Sequence, residues 1–218
     1  MLIDLDYLRG ANTLAATGDV RYYLNGVLIE KRGADVFYVA TDGCVLGVFH
    51  QALDPGDDGE EDFEIIVPAD TARQCQCSTP PILGVLGRGP SSCTIDGARA
   101  GRLSFTPIQG RFPDWRRVIP AKWRPDHERQ PRDRGPAQFN PDLVARLKRA
   151  VEIGFATGKK KAPTVTLAHY GPAYAALAMV ADSDSFVGAI MPLRAEPRTE
   201  VPAWARSPVS AAAALPVA

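Results

Sequence analysis

Cysteine is scarce. Cys44, Cys75, Cys77 and Cys93 are the only four in 218 residues. They are too few and too irregularly spaced for a disulfide scaffold. Cys75 and Cys77 lack a second Cys or His pair at zinc-finger spacing, which argues against a structural metal. Reduced thiols of a cytoplasmic protein are the reading that remains. Net charge is absent too: 25 Lys and Arg balance 25 Asp and Glu. Diffuse attraction to nucleic acid is therefore not built in, and any DNA contact must come from a local patch. No apolar run approaches the ~20 residues that span a bilayer. The opening MLIDLDYLRG has neither the basic stretch nor the apolar core of a leader peptide, so no membrane partner is expected. The three histidines, His50, His127 and His169, have no Ser, Cys or carboxylate partner at motif spacing. No phosphate-binding glycine loop occurs. A non-enzymatic function without cofactor or metal is the expectation.

What the sequence does contain is one pattern used three times. A short strand at Leu2–Asp4 runs into a helix over Asp6–Ala16, where Leu5, Leu8, Ala11 and Ala15 make one apolar stripe. Strands follow at Val20–Glu30, Asp35–Ala40 and Cys44–His50, punctuated by Arg32-Gly33 and Asp42-Gly43. This unit reads β-α-β-β-β. After an acidic loop, Asp54–Asp62, which lacks the spacing of a calcium-binding hand, the pattern recurs. Phe63–Val67 is a strand, Pro68–Gln74 a helix, and Ile82–Leu86, Ser91–Ile95 and Arg102–Phe105 are strands. The third copy starts at Gln138. Phe139-Asn140 ends a short strand, Pro141–Ile153 is a helix, and strands follow at Thr164–His169, Ala173–Val180 and Phe186–Leu193. Ala121–Pro136, rich in Pro and Arg, reads as a linker. The Pro- and Ala-rich stretch from Ala195 reads as a disordered tail.

These units bring specific motifs. GDVRYYLNGVLIE (Gly18–Glu30), VATDG (Val39–Gly43), GRFPDWRRVIP (Gly110–Pro120), FN (Phe139-Asn140) and AIMPLR (Ala189–Arg194) resemble segments of the bacterial DNA polymerase III beta subunit, the sliding-clamp family. Five motifs stand in the family's order, over about residues 1–194. The resemblance implies an α+β DNA-clamp fold of repeated β-α-β-β-β halves, about one and a half clamp domains. Residues 1–120 resemble the family's middle domain. Residues 121–137 replace half a domain with a linker, 138–194 resemble the last half of the third domain, and 195–218 form the tail. The family's first domain has no counterpart in these residues.

The same resemblance implies a groove that receives short peptides from DNA polymerases and other replication or repair proteins. Its carried-over positions are Leu24, Thr41, Gly43, Leu46, Pro113, Arg117, Val118, Asn140, Leu143, Ala189, Ile190, Met191, Pro192, Leu193 and Arg194. Leu24, Leu46, Val118, Ile190 and Met191 would offer an apolar floor, and Met adapts to varied anchors. Asn140 and Arg194 would hold peptide backbone or a carboxylate at the rim. A peptide of the type Gln-x-x-Leu-x-Phe would fit such a groove. Arg21, Tyr22 and Tyr23 resemble DNA-touching positions, and Arg146, Lys148 and Arg149 give the third helix a basic side. Two functions follow from the resemblance. One is a processivity factor whose copies encircle DNA as a ring. The other is a non-ring module that keeps the groove and competes with the host clamp.

Overall fold

In the computed structural model, strand alternation sorts the side chains onto two sheet faces, as period-2 backbones must. The structure describes residues 1–54, 61–75, 83–89, 91–98, 101–119, 137–155, 163–169 and 174–194, with 200, 202 and 205. The expected linker at 121–136 and nearly all of the 195–218 tail lie outside the described residues, as does most of the acidic loop. In chain order the elements are β1 (Leu2–Asp4), α1 (Leu5–Asn12), β2 (Gly26–Arg32), β3 (Asp35–Thr41), β4 (Val45–Ala52), β5 (Phe63–Pro68), α2 (Ala69–Gln74), β6 (Leu83–Arg88), β7 (Cys93–Ala98), β8 (Gly101–Phe105), α3 (Pro141–Gly154), β9 (Val165–Ala168), β10 (Ala176–Val180) and β11 (Ser183–Ile190). They build two antiparallel sheets, β1-β6-β7-β8 and β5-β2-β3-β4-β11-β10-β9.

The first two units exchange strands. β1, which precedes α1, pairs with β6 of the second unit, and β5, which precedes α2, pairs with β2 of the first. The third unit joins edge to edge: β11 pairs with β4 from Ile190↔Val45 to Phe186↔Phe49. The inner face of the large sheet carries Val27, Ile29, Tyr38, Phe49, Ala178 and Phe186 into one core with Leu5, Leu8, Leu147 and Val151 of the helices. α1 lies against both α2 and α3, and none of its residues is fully exposed. Gly10 permits the α1–α3 approach, and Gly154 lets α3 close onto Phe49 of β4. A Cβ on Gly10 would stand 2.8 Å from the Ala150 carbonyl oxygen, and one on Gly154 would stand 2.2 Å from the Phe49 ring.

Several sequence expectations change. Residues 20–25 are not strand: 22–24 form a short 3-10 turn, and β2 begins at Gly26. The first helix ends at Asn12 rather than Ala16. β11 ends at Ile190, not Leu193. The expected strand at Phe139-Asn140 is absent. These residues are coil, and Asn140 caps α3 by accepting from the Asp142 amide at 2.9 Å. In this repeat the strand before a helix pairs with its companion's sheet, and the third unit has no companion among the described residues.

Asp4 caps α1, its carboxylate accepting from the Tyr7 amide at 2.9 Å. Burial nevertheless pushes its pKa up from 3.8 to about 6, outweighing that bond. The unfolded chain ionises Asp4 near 3.8 and the folded one only near 6. Its contribution to stability is therefore present below pH 4, lost between about 4 and 6, and level above, a change of about 3 kcal/mol. Asp4→Asn keeps the cap and removes the penalty. Denaturant unfolding should find the variant more stable at pH 8 by about 2–3 kcal/mol and no more stable at pH 4.

Candidate functional site

The outer face of the large sheet carries the second apolar cluster, which includes Leu24, Leu28, Val39, Leu46, Val48, Leu177 and Ala189. The segment after β8 crosses this face. Phe112 is buried in the cluster, and Trp115 and Ile119 pack against it. Glu30, an outward-facing and almost fully buried carboxylate on β2, anchors the crossing. It accepts from the Trp115 indole at 3.0 Å and from Arg116 at 3.0 Å, and Arg32 lies 3.1 Å away. The Arg116 guanidinium also stacks on Trp115 and reaches over Phe37.

A cavity of ≈ 250 Å³ opens between this segment, the β3–β4 turn and the end of β11. Leu24, Thr41, Gly43, Leu46, Pro113, Val118, Ala189 and Met191 line it, together with Arg21, Cys44, Val45, Phe112, Asp114 and Trp115. The turn wall is stitched internally. The Asp42 carboxylate accepts from the amides of Cys44 (2.8 Å) and Val45 (2.9 Å). The Thr41 hydroxyl donates to the Val45 carbonyl at 2.7 Å and accepts from the Gly43 amide at 3.0 Å. Gly43 sits at φ +95°, where a side chain would be strained.

Two arginines brace that turn from outside. Arg21 donates to the Asp42 carbonyl at 3.2 Å and holds Asp19 through two bonds, which lowers the Asp19 pKa to about 2. Arg146 of α3 ion-pairs with Asp42 and donates to the carbonyls of Thr13 (3.0 Å) and Ala15 (2.9 Å). The third unit's helix thus holds the first unit's turn in place.

The remaining sequence candidates fall elsewhere. Ile190, expected in the floor, faces the helices instead. Strand alternation puts Ala189 outward and Ile190 inward, where it is 1% exposed and lines a different cavity beside α3. Leu143 packs on the main core. Arg117 is exposed and lies 3.4 Å from Asp114 outside this cavity, and Asn140 is spent on its helix cap. Pro192 is buried, while Leu193 and Arg194 are exposed beyond the cavity lining. Leu193 donates to the Gln138 carbonyl at 2.7 Å, and Met191 donates to the Cys44 carbonyl at 2.8 Å. Of the basic and aromatic candidates for DNA contact, Arg21 and Arg146 bond to the protein itself. Lys148 pairs with Glu152 at 2.8 Å, Arg149 is exposed, and Tyr22 stands exposed beside a half-buried Tyr23. Sequence reasoning missed Phe112, Asp114 and Trp115 as cavity residues, although they sit inside the quoted GRFPDWRRVIP segment. It also missed Glu30. A lone carboxylate within the apolar run VLIEK was the available signal for it.

Solved structures decide the fold. Chain and structure superpose with a TM-score of 0.61 for a DNA polymerase III subunit beta from Pseudomonas aeruginosa bound to griselimycin, over 89% of this chain and 65% of that one, at 20% identity. The DNA polymerase III beta subunit of Thermotoga maritima gives 0.65 over 90% and 65%, at 14% identity. The fold is that of the bacterial sliding clamps. Sequence similarity points the same way over a shorter stretch. The beta sliding clamp of Salmonella typhimurium is 35% identical over 108 residues, 47% of this chain and 27% of that protein. That of Vibrio cholerae is 38% identical over 111 residues, 48% and 28%. The matched stretch is thus little more than a quarter of the length of these relatives. No family model matches the chain. The chain is a clamp-like protein of α+β fold. Among the described residues no helix is long and apolar enough to cross a membrane, and no group of His, Cys, Asp and Glu is arranged to hold a metal ion.

Proposed function

We propose that this clamp-like chain is a non-catalytic docking protein whose ≈ 250 Å³ cavity takes the apolar anchors of clamp-binding peptides from DNA polymerases and other replication or repair proteins. The observation that supports it is the convergence on one cavity of three sequence segments far apart in the chain: Thr41–Leu46, Phe112–Val118 and Ala189–Met191. The likeness to a clamp solved with griselimycin bound adds to it, since a ligand is held on that fold. Leu24, Leu46 and Ala189 are buried, while Val118 and Met191 are nearly half exposed at the rim, where they can be covered by an anchor. Burying a Leu and a Phe contributes roughly 1.5–3 kcal/mol each, partly offset by ordering, which gives micromolar affinity. Titration of a labelled Gln-x-x-Leu-x-Phe peptide with the full chain, read by fluorescence anisotropy, tests this. Saturation in the micromolar range is expected. No saturable binding up to about 1 mM would overturn the reading.

We propose only a weak role for DNA. The formal net charge is zero, and Arg21, Arg146 and Lys148 are engaged with the protein's own oxygens. This favours the module that takes peptide motifs, in competition with a host clamp, over a processivity ring. Binding to linear duplex should be non-specific and salt-sensitive, with Kd about 10⁻⁴–10⁻⁶ M at physiological salt. Nanomolar binding to one sequence in a gel-shift titration would contradict it.

A further inference from the structure

Arg146 stands outside the lining of the peptide cavity and yet holds two of its walls. It lies on α3 of the third unit, and Thr13, which ends α1, donates to its carbonyl at 3.4 Å. Its guanidinium gives a separate nitrogen to each of three acceptors. Nη1 ion-pairs with the Asp42 carboxylate, Nε donates to the Thr13 carbonyl at 3.0 Å, and Nη2 donates to the Ala15 carbonyl at 2.9 Å. The planar fork of arginine spans such a set, and the single ammonium of lysine does not. With 33% of the Arg146 side chain and 18% of the Asp42 side chain exposed, the pair is largely withdrawn from water and stronger than a surface one.

Two routes lead from this guanidinium to the cavity. Asp42 divides its oxygens: Oδ2 faces Arg146, while Oδ1 accepts from the amides of Cys44 (2.8 Å) and Val45 (2.9 Å), both cavity residues. The second route starts at Ala15. The next residue, Ala16, donates its amide to the Leu24 carbonyl at 3.0 Å, and Leu24 lines the cavity as well. One side chain therefore fixes the β3–β4 turn and the support of Leu24 relative to each other. Behind the turn lies a polar hollow of ≈ 380 Å³ whose lining includes Thr13, Asp19, Asp42 and Arg146. On that side the turn rests on the ion pair and not on packed apolar side chains. The other brace, Arg21, lines the cavity itself and grips the turn from the exposed surface.

We infer that Arg146 is a positioning residue for peptide binding: docking of the third unit's helix on the first unit sets the affinity of a cavity that Arg146 does not line. This rests on the peptide reading proposed above. A cavity whose walls must be ordered during binding loses affinity to that ordering, and one held in place beforehand does not. Such coupling is reciprocal, so a bound peptide in turn holds α3 against the first unit. Arg146 thus acts inward through Asp42 and not outward on a DNA phosphate.

Anisotropy titration of full-chain variants with the labelled Gln-x-x-Leu-x-Phe peptide, well below their melting temperatures, tests this. Arg146→Met keeps the aliphatic stem, removes all three bonds and should weaken binding about 10-fold. Arg146→Lys keeps a charge for Asp42 alone and should recover part of the loss. Asp42→Asn leaves an oxygen for the Cys44 and Val45 amides but removes the charge that faces Arg146. Added to Arg146→Met it should cost little more, because both changes break the same bond. Arg149→Met, at an exposed cation of the same helix, should leave affinity unchanged. In the free chain the Cys44 and Val45 amide resonances should move in Arg146→Met and return toward wild type in Arg146→Lys. Saturating peptide should slow amide exchange along α3 in the wild type and not in Arg146→Met. Wild-type saturation with an unchanged dissociation constant in Arg146→Met would overturn the coupling and leave the peptide reading standing. So would losses in Arg146→Met and Asp42→Asn that simply add. A wild type that never saturates would overturn both.

Discussion

Glu30→Ala should unfold at a markedly lower temperature than the wild type and bind peptide poorly. The carboxylate is 5% exposed and is shared by Trp115, Arg116 and Arg32. Removing one member of a buried ion-paired group leaves its partners uncompensated, which typically costs 3–5 kcal/mol. Arg116 and Arg32 are 47% and 42% exposed and recover part of that by solvation. About 2–3 kcal/mol is therefore expected, a fall of about 4–10 °C in melting temperature. The Trp115 indole loses its acceptor, so the segment that forms one wall of the cavity loosens with it. Glu30→Gln keeps an acceptor for the indole and should lose less on both counts. A Glu30→Ala melting curve superposable on the wild type would mean that the crossing segment is held by apolar packing alone.

The second large effect is on binding and not on stability. Met191→Asp and Val118→Asp should each weaken peptide binding at least ~100-fold, since a carboxylate would have to be desolvated against an apolar anchor. Both side chains are nearly half exposed, so their folds should survive, as thermal melts will show. Leu46→Asp is the poorer test, because Leu46 is 4% exposed in the outer cluster on β4, in the middle of the large sheet, and its loss would disrupt the fold there. Arg117→Ala should change affinity little, less than about 3-fold, because Arg117 stands outside the cavity and its exposed contact with Asp114 is weak. Equal losses in Arg117→Ala and Met191→Asp would place the peptide on the polar side of the crossing segment instead.

The repeat was legible because each unit announces itself locally. The helix stripe of Leu5, Leu8 and Ala11, the β-branched strands and the Asp42-Gly43 turn need no partner to be recognised. The strand at Phe139-Asn140 was misread for the opposite reason. A pre-helix strand in this fold exists only by pairing with another unit's sheet, and local sequence does not record whether that sheet is there. Ile190 was misassigned because a motif read as a block, AIMPLR, hides the alternation inside it. The period puts Ala189 and Ile190 on opposite faces. Arg146 looked like a phosphate contact on a basic helix face. Only the tertiary fold brings Asp42, Thr13 and Ala15 to its guanidinium, across more than 100 residues of sequence.

Binding of an apolar peptide in the cavity is the central claim, and backbone amide shift mapping of the full chain with the unlabelled Gln-x-x-Leu-x-Phe peptide tests it most directly. The largest shifts should fall at three separate stretches, Thr41–Leu46, Phe112–Val118 and Ala189–Met191, and titrate together as one site. Shifts that leave these three unmoved and gather instead around Val144, Leu167 and Ile190 would contradict it.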